Sequence, residues 1–522
     1  MPTLQQEDIL SAVWRACDTF RGAVDATQYK DYVLTALFLK YISDVRRKHV
    51  EEFRREFGGD ELRIQRRLDR ERFKLPTVEL KNSKTNDVEE SFLGDFYSLH
   101  ERRGRDNIGE LINIVLDAIE KANEGKLGGL FRAIDFNSET NLGQTKDRNR
   151  RLKMLLEDFA KPGLDLSETS EDILGDAYIF LIERFASDAG KKAGEFFTPR
   201  KVSEVVAKLA NPKSGDRICD PACGSASLLL RAGEEVPDAN FQLFGQESNG
   251  STRSLARLNM LLHAQDSARI DWCDTLNSPT LIESDHLMRF DVVVANPPFS
   301  LDKWWGNTDS EGNALPDPYK RFTPHMPPKS RGDYAFILHM LAIARPSVGR
   351  VVVVAPHGVL FRSGAEGKIR EKLIRDNLLD AVIGLPAQLF PTTGIPVCIM
   401  VFDKSRETDG LRSHERDILF IDASRDFEPG KKQNRLTDDN VKTIVETYRS
   451  RAEIERYSHK ATFQEIEANG FNLNIPRYVD TFEPEPEVNL QAVQDEIRDL
   501  EGQLAETRKK MNAYLKELGI NV

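Results

Sequence analysis

The 522-residue sequence predicts an α/β fold, in which a doubly wound, mostly parallel sheet of seven strands follows an N-terminal helical domain and precedes a C-terminal helical extension. Three observations carry that expectation. Up to about residue 165, apolar residues recur at helical spacing, as in Ile9, Val13, Ala16 and Phe20 and again in Tyr29, Val33, Ala36, Leu37 and Tyr41, with few strand signals. After Thr198, short apolar runs alternate with helical segments, the pattern of strands joined by crossover helices. Beyond about residue 430 the composition turns polar, and an amphipathic pattern returns over 488–518. These shifts divide the chain into a helical domain, 1–165, an α/β domain, 166–430, and a C-terminal extension, 431–522.

In order along the chain, a helix over 172–185 leads into Gly194-Glu195-Phe196-Phe197-Thr198-Pro199-Arg200. Strands are expected at 217–220, 241–246, 270–273, 291–295, 349–355, 380–385 and 397–402, with helices between them at 228–234, 251–263, 334–344 and 367–377. The stretch 304–331, rich in Pro, Gly and Asn, fits neither element and reads as an active-site loop. In the last segment Leu490, Val493, Ile497, Leu500 and Leu504 recur at near-heptad spacing with flanking charges, which suits a helix that packs on another helix, from this chain or from a partner.

Composition bounds the function classes. Hydrophobic residues at 40% and charged residues at 30% describe a soluble globular protein of two or three domains. No run approaches the ~18 apolar residues of a membrane helix. The start, Met1-Pro2-Thr3-Leu4-Gln5-Gln6-Glu7-Asp8, lacks the features of a secretory signal, so a cytoplasmic protein with no membrane partner is expected. Five scattered cysteines argue against a disulfide framework, and Cys219 and Cys223 lack the second pair that a zinc site needs. The net charge of −11 leaves two options: the substrate is not nucleic acid, or local basic patches and a partner subunit supply the phosphate contacts.

Chemistry concentrates at predicted strand ends. Asn296-Pro297-Pro298-Phe299 closes the apolar run Val292-Val293-Val294-Ala295, at the carboxyl end of a buried strand, where open α/β sheets place their ligands. Two prolines have no N–H and stiffen the turn, so its carbonyls meet few local donors and can hold an amino group. The ring of Phe299 can cover the face of a planar group held there. Simple punctuation between strand and loop is the alternative. Asp220-Pro221-Ala222-Cys223-Gly224-Ser225-Ala226-Ser227 follows the first strand, and its small side chains let a ligand approach the backbone, although a tight β-to-α turn also explains them. It is not the G-x-G-x-x-G pattern of dinucleotide sites. Glu247, at the end of the second strand, can accept both hydroxyls of a ribose, or simply face solvent. Asp274, past the third strand, can accept from an adenine amine or cap a turn before Thr275.

In the order Phe-Thr-Pro, Asp-Pro-x-x-Gly-Ser, Glu, Asp, Asn-Pro-Pro-Phe, the chain resembles the amino-methylating DNA methyltransferases, specifically the modification (M) subunits of type I restriction-modification systems. The resemblance covers most of the chain. It includes Phe20-Arg21-Gly22, Tyr32-Val33-Leu34 and Phe38-Leu39-Lys40-Tyr41 in the helical domain, the early position of 194–200, which matches the γ order of motifs, and Phe471-Asn472-Leu473 with Asn474-Ile475-Pro476-Arg477-Tyr478 near the end. Position 226 departs from it, with Ala where related enzymes often carry Gly.

The resemblance implies a Rossmann-like methyltransferase sheet and methyl transfer from S-adenosylmethionine to the N6 amine of adenine in DNA. It implies that Asn296 and the Pro297 carbonyl accept from the amine, with Pro298 stiffening the turn and Phe299 stacking on a flipped base. Glu195, Phe196, Phe197, Thr198, Pro199 and Arg200, together with Gly224, Ser225, Ala226 and Ser227, fall to the methionine part of the cofactor, and Glu247 to its ribose. Asp220 falls to the base of the turn and Asp274 to the adenine ring. No metal is implied. The implied partners are double-stranded DNA, a specificity (S) subunit, a second M subunit and a restriction (R) subunit. An RNA or protein-amide methyltransferase is the nearest rival, since the same turn can hold either group, and a non-catalytic scaffold is the rival from another class.

Overall fold

Runs of β-branched residues buried on both faces build a nine-stranded sheet at the centre of the computed structural model, which describes residues 6–21, 24, 26–82, 84–168, 175, 178–182, 198–308, 311, 315–390, 394–431, 433–481 and 490–519. In chain order the strands are β1 (Thr77–Lys81), β2 (Val88–Leu93), β3 (Arg217–Asp220), β4 (Gln242–Glu247), β5 (Arg269–Trp272), β6 (Ile282–Glu283), β7 (His286–Leu287), β8 (Val292–Ala295), β9 (Arg350–Pro356), β10 (Leu379–Gly384), β11 (Val397–Asp403), β12 (Ile418–Asp422) and β13 (Ser458–Ala461). The central order is β13-β12-β10-β11-β9-β8-β3-β4-β5. Neighbours from β9 through β8, β3 and β4 to β5 run parallel, as do β10 and β12, whereas β11 is antiparallel to both its neighbours and β13 to β12. The order reverses around β3 and β8, the switch point at which open sheets gather ligands.

The seven expected strands all form, within a residue or two of their expected ends, and the fold is the mixed α/β class with a mostly parallel sheet. Two corrections follow. The sheet has nine strands, because β12 and β13 extend it beyond the seven. Since β13 lies past residue 430 and helix Asp438–Ser450 buries Val441, Ile444 and Val445 in the sheet's core, the stretch from 431 to the end of β13 completes the sheet rather than beginning an extension. The chain divides instead into the compact units Met1–Val479 and Asp480–Val522.

Within the first unit the N-terminal helices Gln6–Asp18, Ala26–Phe57, Ile108–Ala122 and Thr145–Phe159 enclose Phe20, Phe38, Phe96, Phe136 and Phe159. The β1–β2 ribbon interrupts them. Helix Gly250–Leu262 bridges this core and the sheet: Leu255, Leu258, Leu261 and Leu262 face the N-terminal cluster, while Ala256 and Met260 face the sheet. Arg257 ties the same helix to the Gly128 carbonyl at 2.6 Å, and Arg72 pairs with Asp266 beyond its end. That bridging helix starts three residues after Glu247, so the helical domain and the putting in place of the second strand's end share one element.

The second unit holds helix Leu490–Glu517, along which Val493, Ile497, Leu500, Leu504, Met511 and Tyr514 repeat at spacings of three, four and seven and are exposed. Among the described residues no helix is long and apolar enough to cross a membrane.

Candidate active site

Strand β8 is buried at every residue, and its last residue hands the chain to Asn296. There the side-chain Nδ2 donates to the Thr198 hydroxyl at 3.0 Å, while Oδ1 is buried and has no hydrogen-bond partner. A buried amide oxygen without a donor costs about 1–3 kcal/mol, and such atoms are rare enough in native proteins to call for a reason. Pro297 is buried and Pro298 half-buried. Phe299 is also half-buried, with the buried Phe390 ring at 6.0 Å and nearly perpendicular to it.

Thr198 and Pro199 immediately precede helix Arg200–Ala210, and the Ser203 N–H bonds the Pro199 carbonyl at 2.9 Å. The structure thus brings the end of the Phe-Thr-Pro segment onto the amide of Asn296, a link that sequence order alone does not contain. Glu195, Phe196 and Phe197 lie outside the described residues, as does most of the expected 172–185 helix.

At the end of β3 the carboxyl of Asp220 is buried and accepts the Ala222 N–H at 2.9 Å. Burial, added to by the charge of Glu247, pushes its pKa up to about 8 despite that bond. The turn then closes on β4: the Cys223 N–H donates to the Gln246 carbonyl at 3.0 Å and the Gly224 N–H to Glu247 Oε2 at 3.0 Å. Glu247 Oε1 takes the Asn249 N–H at 2.8 Å, and burial pushes this carboxyl up as well. Gly224 and Ala226 both have left-handed backbones, at φ 55° and 63°. For Gly224 that costs little, but an L-residue such as Ala226 bears about 1–2 kcal/mol of strain. The Ser225 and Ser227 hydroxyls bond each other at 2.9 Å, and the wholly buried Asn259 holds the Ser225 carbonyl at 2.9 Å. With nothing larger than Ser over 224–227 and two carboxyls beneath, the turn fits a ligand that brings hydroxyls and a positive charge.

Asp274 takes the turn-cap role: its carboxylate accepts the N–H groups of Leu276 at 2.9 Å and Asn277 at 3.1 Å and the Asn277 amide at 2.7 Å. It is nonetheless exposed, so both oxygens keep a free side. Cys219 and Cys223 are buried thiols, their pKa values raised by that burial.

Sequence reasoning missed the internal order of the 304–331 loop. Trp304, Trp305 and Phe322 form an aromatic cluster with ring centroids 5.0–5.7 Å apart. Beside it the buried Arg321 donates to the carbonyls of Thr275 at 3.0 Å and Leu276 at 2.6 Å and pairs with Asp317. The Thr275 hydroxyl continues to Gln246, the residue before Glu247, at 2.7 Å. Trp and Arg inside a Pro-Gly-Asn-rich segment are the signal that points to a loop with its own core.

Known proteins are similar to this chain over nearly its whole length. A family profile described as N-6 DNA Methylase matches residues 169–487, and one described as HsdM N-terminal domain matches 9–159. The methylase subunit of the type I restriction enzyme MpnII from Mycoplasma pneumoniae is 32% identical over 99% of this chain and 98% of its own length. That of MjaVIII from Methanocaldococcus jannaschii is 31% identical over 99% of this chain and 85% of its own. A crystal structure of the type I restriction-modification system methyltransferase subunit from Streptococcus thermophilus superposes with a TM-score of 0.76 at 33% identity, covering 91% of this chain and all of that one. With both its helical and its sheet regions matched, the chain belongs to the N-6 DNA methylase family and, within it, to the methyltransferase subunits of type I restriction-modification systems.

Proposed function

We propose that this modification subunit transfers a methyl group from S-adenosylmethionine to the N6 amine of adenine in DNA, with the target sequence read by a separate specificity subunit. The observation that carries the reading is the buried, unpartnered Oδ1 of Asn296 at the end of β8. An adenine amine is a weak nucleophile because its lone pair is delocalised into the ring. Asn296 Oδ1 and the Pro297 carbonyl would accept its two N–H groups and favour a pyramidal nitrogen with an exposed lone pair, stabilisation aimed at the charge that develops in the transition state. With its Nδ2 donating to the Thr198 hydroxyl, the Asn296 amide leaves Oδ1 open to accept from the amine. Phe299 would stack on a base that has left the duplex, as chemistry on a base requires.

Bound S-adenosylmethionine supplies the electrophilic sulfonium methyl. Glu247 would accept its ribose hydroxyls, and Asp220 its positive end. The 224–227 turn would give it backbone approach, and the 195–200 segment would line its methionine side. Asp274 keeps an open face toward an adenine amine. The pKa shifts suit this division: carboxyls that burial makes reluctant to ionise gain a reason to do so when a cation arrives.

The net charge of −11 favours phosphate contacts supplied largely by a partner. The exposed apolar stripe of helix Leu490–Glu517 is the surface for that assembly, which would include the specificity subunit, a second modification subunit and, in the restricting form, a nuclease subunit. The test is product identity. The complex, given methyl-labelled cofactor with duplex DNA, RNA or protein, should place its label in N6-methyladenine of DNA alone. Label in RNA, in protein or on cytosine would sink the reading, and full sequence-specific activity from the lone chain would sink the partner requirement.

A further inference from the structure

We propose that Asp333 is a positioning residue that fixes the exit of the acceptor turn, an inference that rests on the adenine-amine reading of Asn296 to Phe299. Pro297 and Pro298 have no N–H with which to anchor their own backbone. The hold on the turn therefore falls on what lies either side of them. On the entry side Thr198 holds the Asn296 amide. On the exit side the Ser300 N–H donates to Asp333 Oδ1 at 2.7 Å, and the Ser300 hydroxyl lies 3.4 Å from Oδ2. Ser300 sits at φ 52°, a left-handed conformation that a non-glycine residue keeps only under restraint.

Asp333 is itself held. It is 3% exposed at the start of helix Asp333–Ile343, and Arg362 Nη1 meets its Oδ2 at 3.0 Å while also reaching Glu366 at 3.5 Å. The backbone repeats the clamp: the Gly332 N–H donates to the Leu301 carbonyl and the Lys303 N–H to the Lys329 carbonyl, both at 2.9 Å. Gly332 eases the closeness of this contact, since a Cβ there would stand 3.2 Å from Trp304 Cβ and 3.4 Å from Leu301 Cβ and its neighbours would have to give by a few tenths of an ångström. A charge-assisted bond from a rigid helix terminus thus sets the chain two residues beyond Pro298, and with it the direction of the Pro297 carbonyl and the tilt of Phe299. Asp333 touches neither base nor cofactor in this arrangement. Its role is to keep two acceptors at one spacing.

The test uses Asp333→Ala, Asp333→Asn and the double variant Asp333→Ala with Ser300→Gly, each in the assembled complex. A displacement of about 1 Å costs up to about 100-fold in rate, so the Ala variant should lose about 10- to 100-fold in kcat, with KM for S-adenosylmethionine and DNA within about threefold of wild type. Asn keeps an acceptor for Ser300 but loses the charge that Arg362 holds, and should fall between Ala and wild type. Glycine at 300 removes the left-handed strain that Asp333 restrains, and should restore part of the loss. If the Ala variant does not fold, the Asn variant carries the test alone through lowered kcat at unchanged KM, measured well below its own melting temperature.

Wild-type kcat in either single variant overturns the proposal, as does a loss confined to cofactor KM or to melting, or an Asn variant no better than Ala. Asn296→Ala is run alongside. Wild-type methylation by that variant would sink the acceptor reading and this inference with it, whereas a dead Asn296→Ala beside a normal Asp333→Ala sinks this inference alone.

Discussion

Replacing Asn296 by Ala should separate stability from activity. The orphaned Oδ1 costs the folded state about 1–3 kcal/mol, which the substitution recovers. Against that, the Nδ2 bond to Thr198 is lost and a mostly buried hydroxyl is left short of a partner, a cost of about 1–2 kcal/mol. The balance lies between a loss of about 1 and a gain of about 2 kcal/mol, so the melting temperature should stay within a few degrees of wild type, on either side. Transition-state stabilisation should fall by about 2.7–4 kcal/mol, or about 100- to 1,000-fold in rate, the scale seen when one positioned polar group is removed from a reacting centre. Thermal melts of the chain and single-turnover methyl transfer by the complex at saturating DNA measure the two quantities independently. A variant destabilised by more than about 2 kcal/mol that still turns over within threefold of wild type would refute the reasoning: the oxygen would then be structural and its missing partner of no consequence.

Four other outcomes follow from the geometry. Asp220, with its folded pKa at about 8 against 3.8 unfolded, holds a proton in the folded state that the unfolded chain has lost, so its contribution declines as pH rises from about 4 to about 8, by up to about 1.4 kcal/mol per unit; urea melts at several pH values should show that slope vanish in Asp220→Asn, and an unchanged slope would contradict it. Asp380→Asn should instead destabilise by about 3–5 kcal/mol near neutral pH, because it breaks a buried charge network, and a milder effect than that of Asp220→Asn would reverse the assignment. At position 226, Gly should lie within about 1 kcal/mol of wild type, since relief of left-handed strain offsets a lost buried methyl and a looser unfolded chain, whereas Val should cost more than about 2 kcal/mol; denaturant midpoints in the opposite order would discount the strain. Ending the chain after Val479 should preserve the cooperative melt of the first unit and abolish co-purification with a specificity subunit, and retained assembly would move the contact elsewhere.

Most of the strands that could be read from the sequence are buried on two faces, with the edge strand β5 the exception. Val351 to Ala355 in β9 and Val292 to Ala295 in β8 leave no polar positions to blur the pattern. Strand β13, with the sequence Ser458-His459-Lys460-Ala461, has only β12 beside it and is polar at its centre, so nothing in its composition distinguishes it from a loop. The β1–β2 ribbon, rich in Glu, fails to register for the same reason. Strand β12, Ile418-Leu419-Phe420-Ile421-Asp422, is apolar and carries a strand signal in its own composition, although the seven-strand expectation does not include it. At the site, residues that act through local chemistry stood out, since Asn-Pro-Pro-Phe and Asp-Pro carry their meaning in consecutive positions. Residues that act across the fold did not. Asp333 reads as an ordinary helix start, Thr198 as part of a cofactor segment, and Arg321 as a loop cation, until long-range contacts show what each one holds.

Two buried aspartates show how the sheet separates architecture from function. Asp380 lies near the start of β10 and Asp220 at the end of β3, so they occupy opposite ends of the strand array. Both suffer desolvation. Around Asp380 the guanidiniums of Arg412, Arg451 and Arg406 outweigh that burial and hold its carboxyl well below the usual range, with Arg406 at 2.6 Å and Arg451 at 2.9 Å. Asp220 has no such counter-charge; its nearest charged neighbour in effect is another acid, Glu247, which raises it further. A protein that can assemble three arginines about one carboxyl could have neutralised the other, so the imbalance at the carboxyl ends of β3, β4 and β8 is not imposed by burial. The orphaned oxygen of Asn296 and the strained backbone of Ala226 lie at those same ends. Two buried carboxyls without a counter-charge and an amide oxygen without a donor, gathered at one end of the sheet, are what a site awaiting a cation, its hydroxyls and an amine requires.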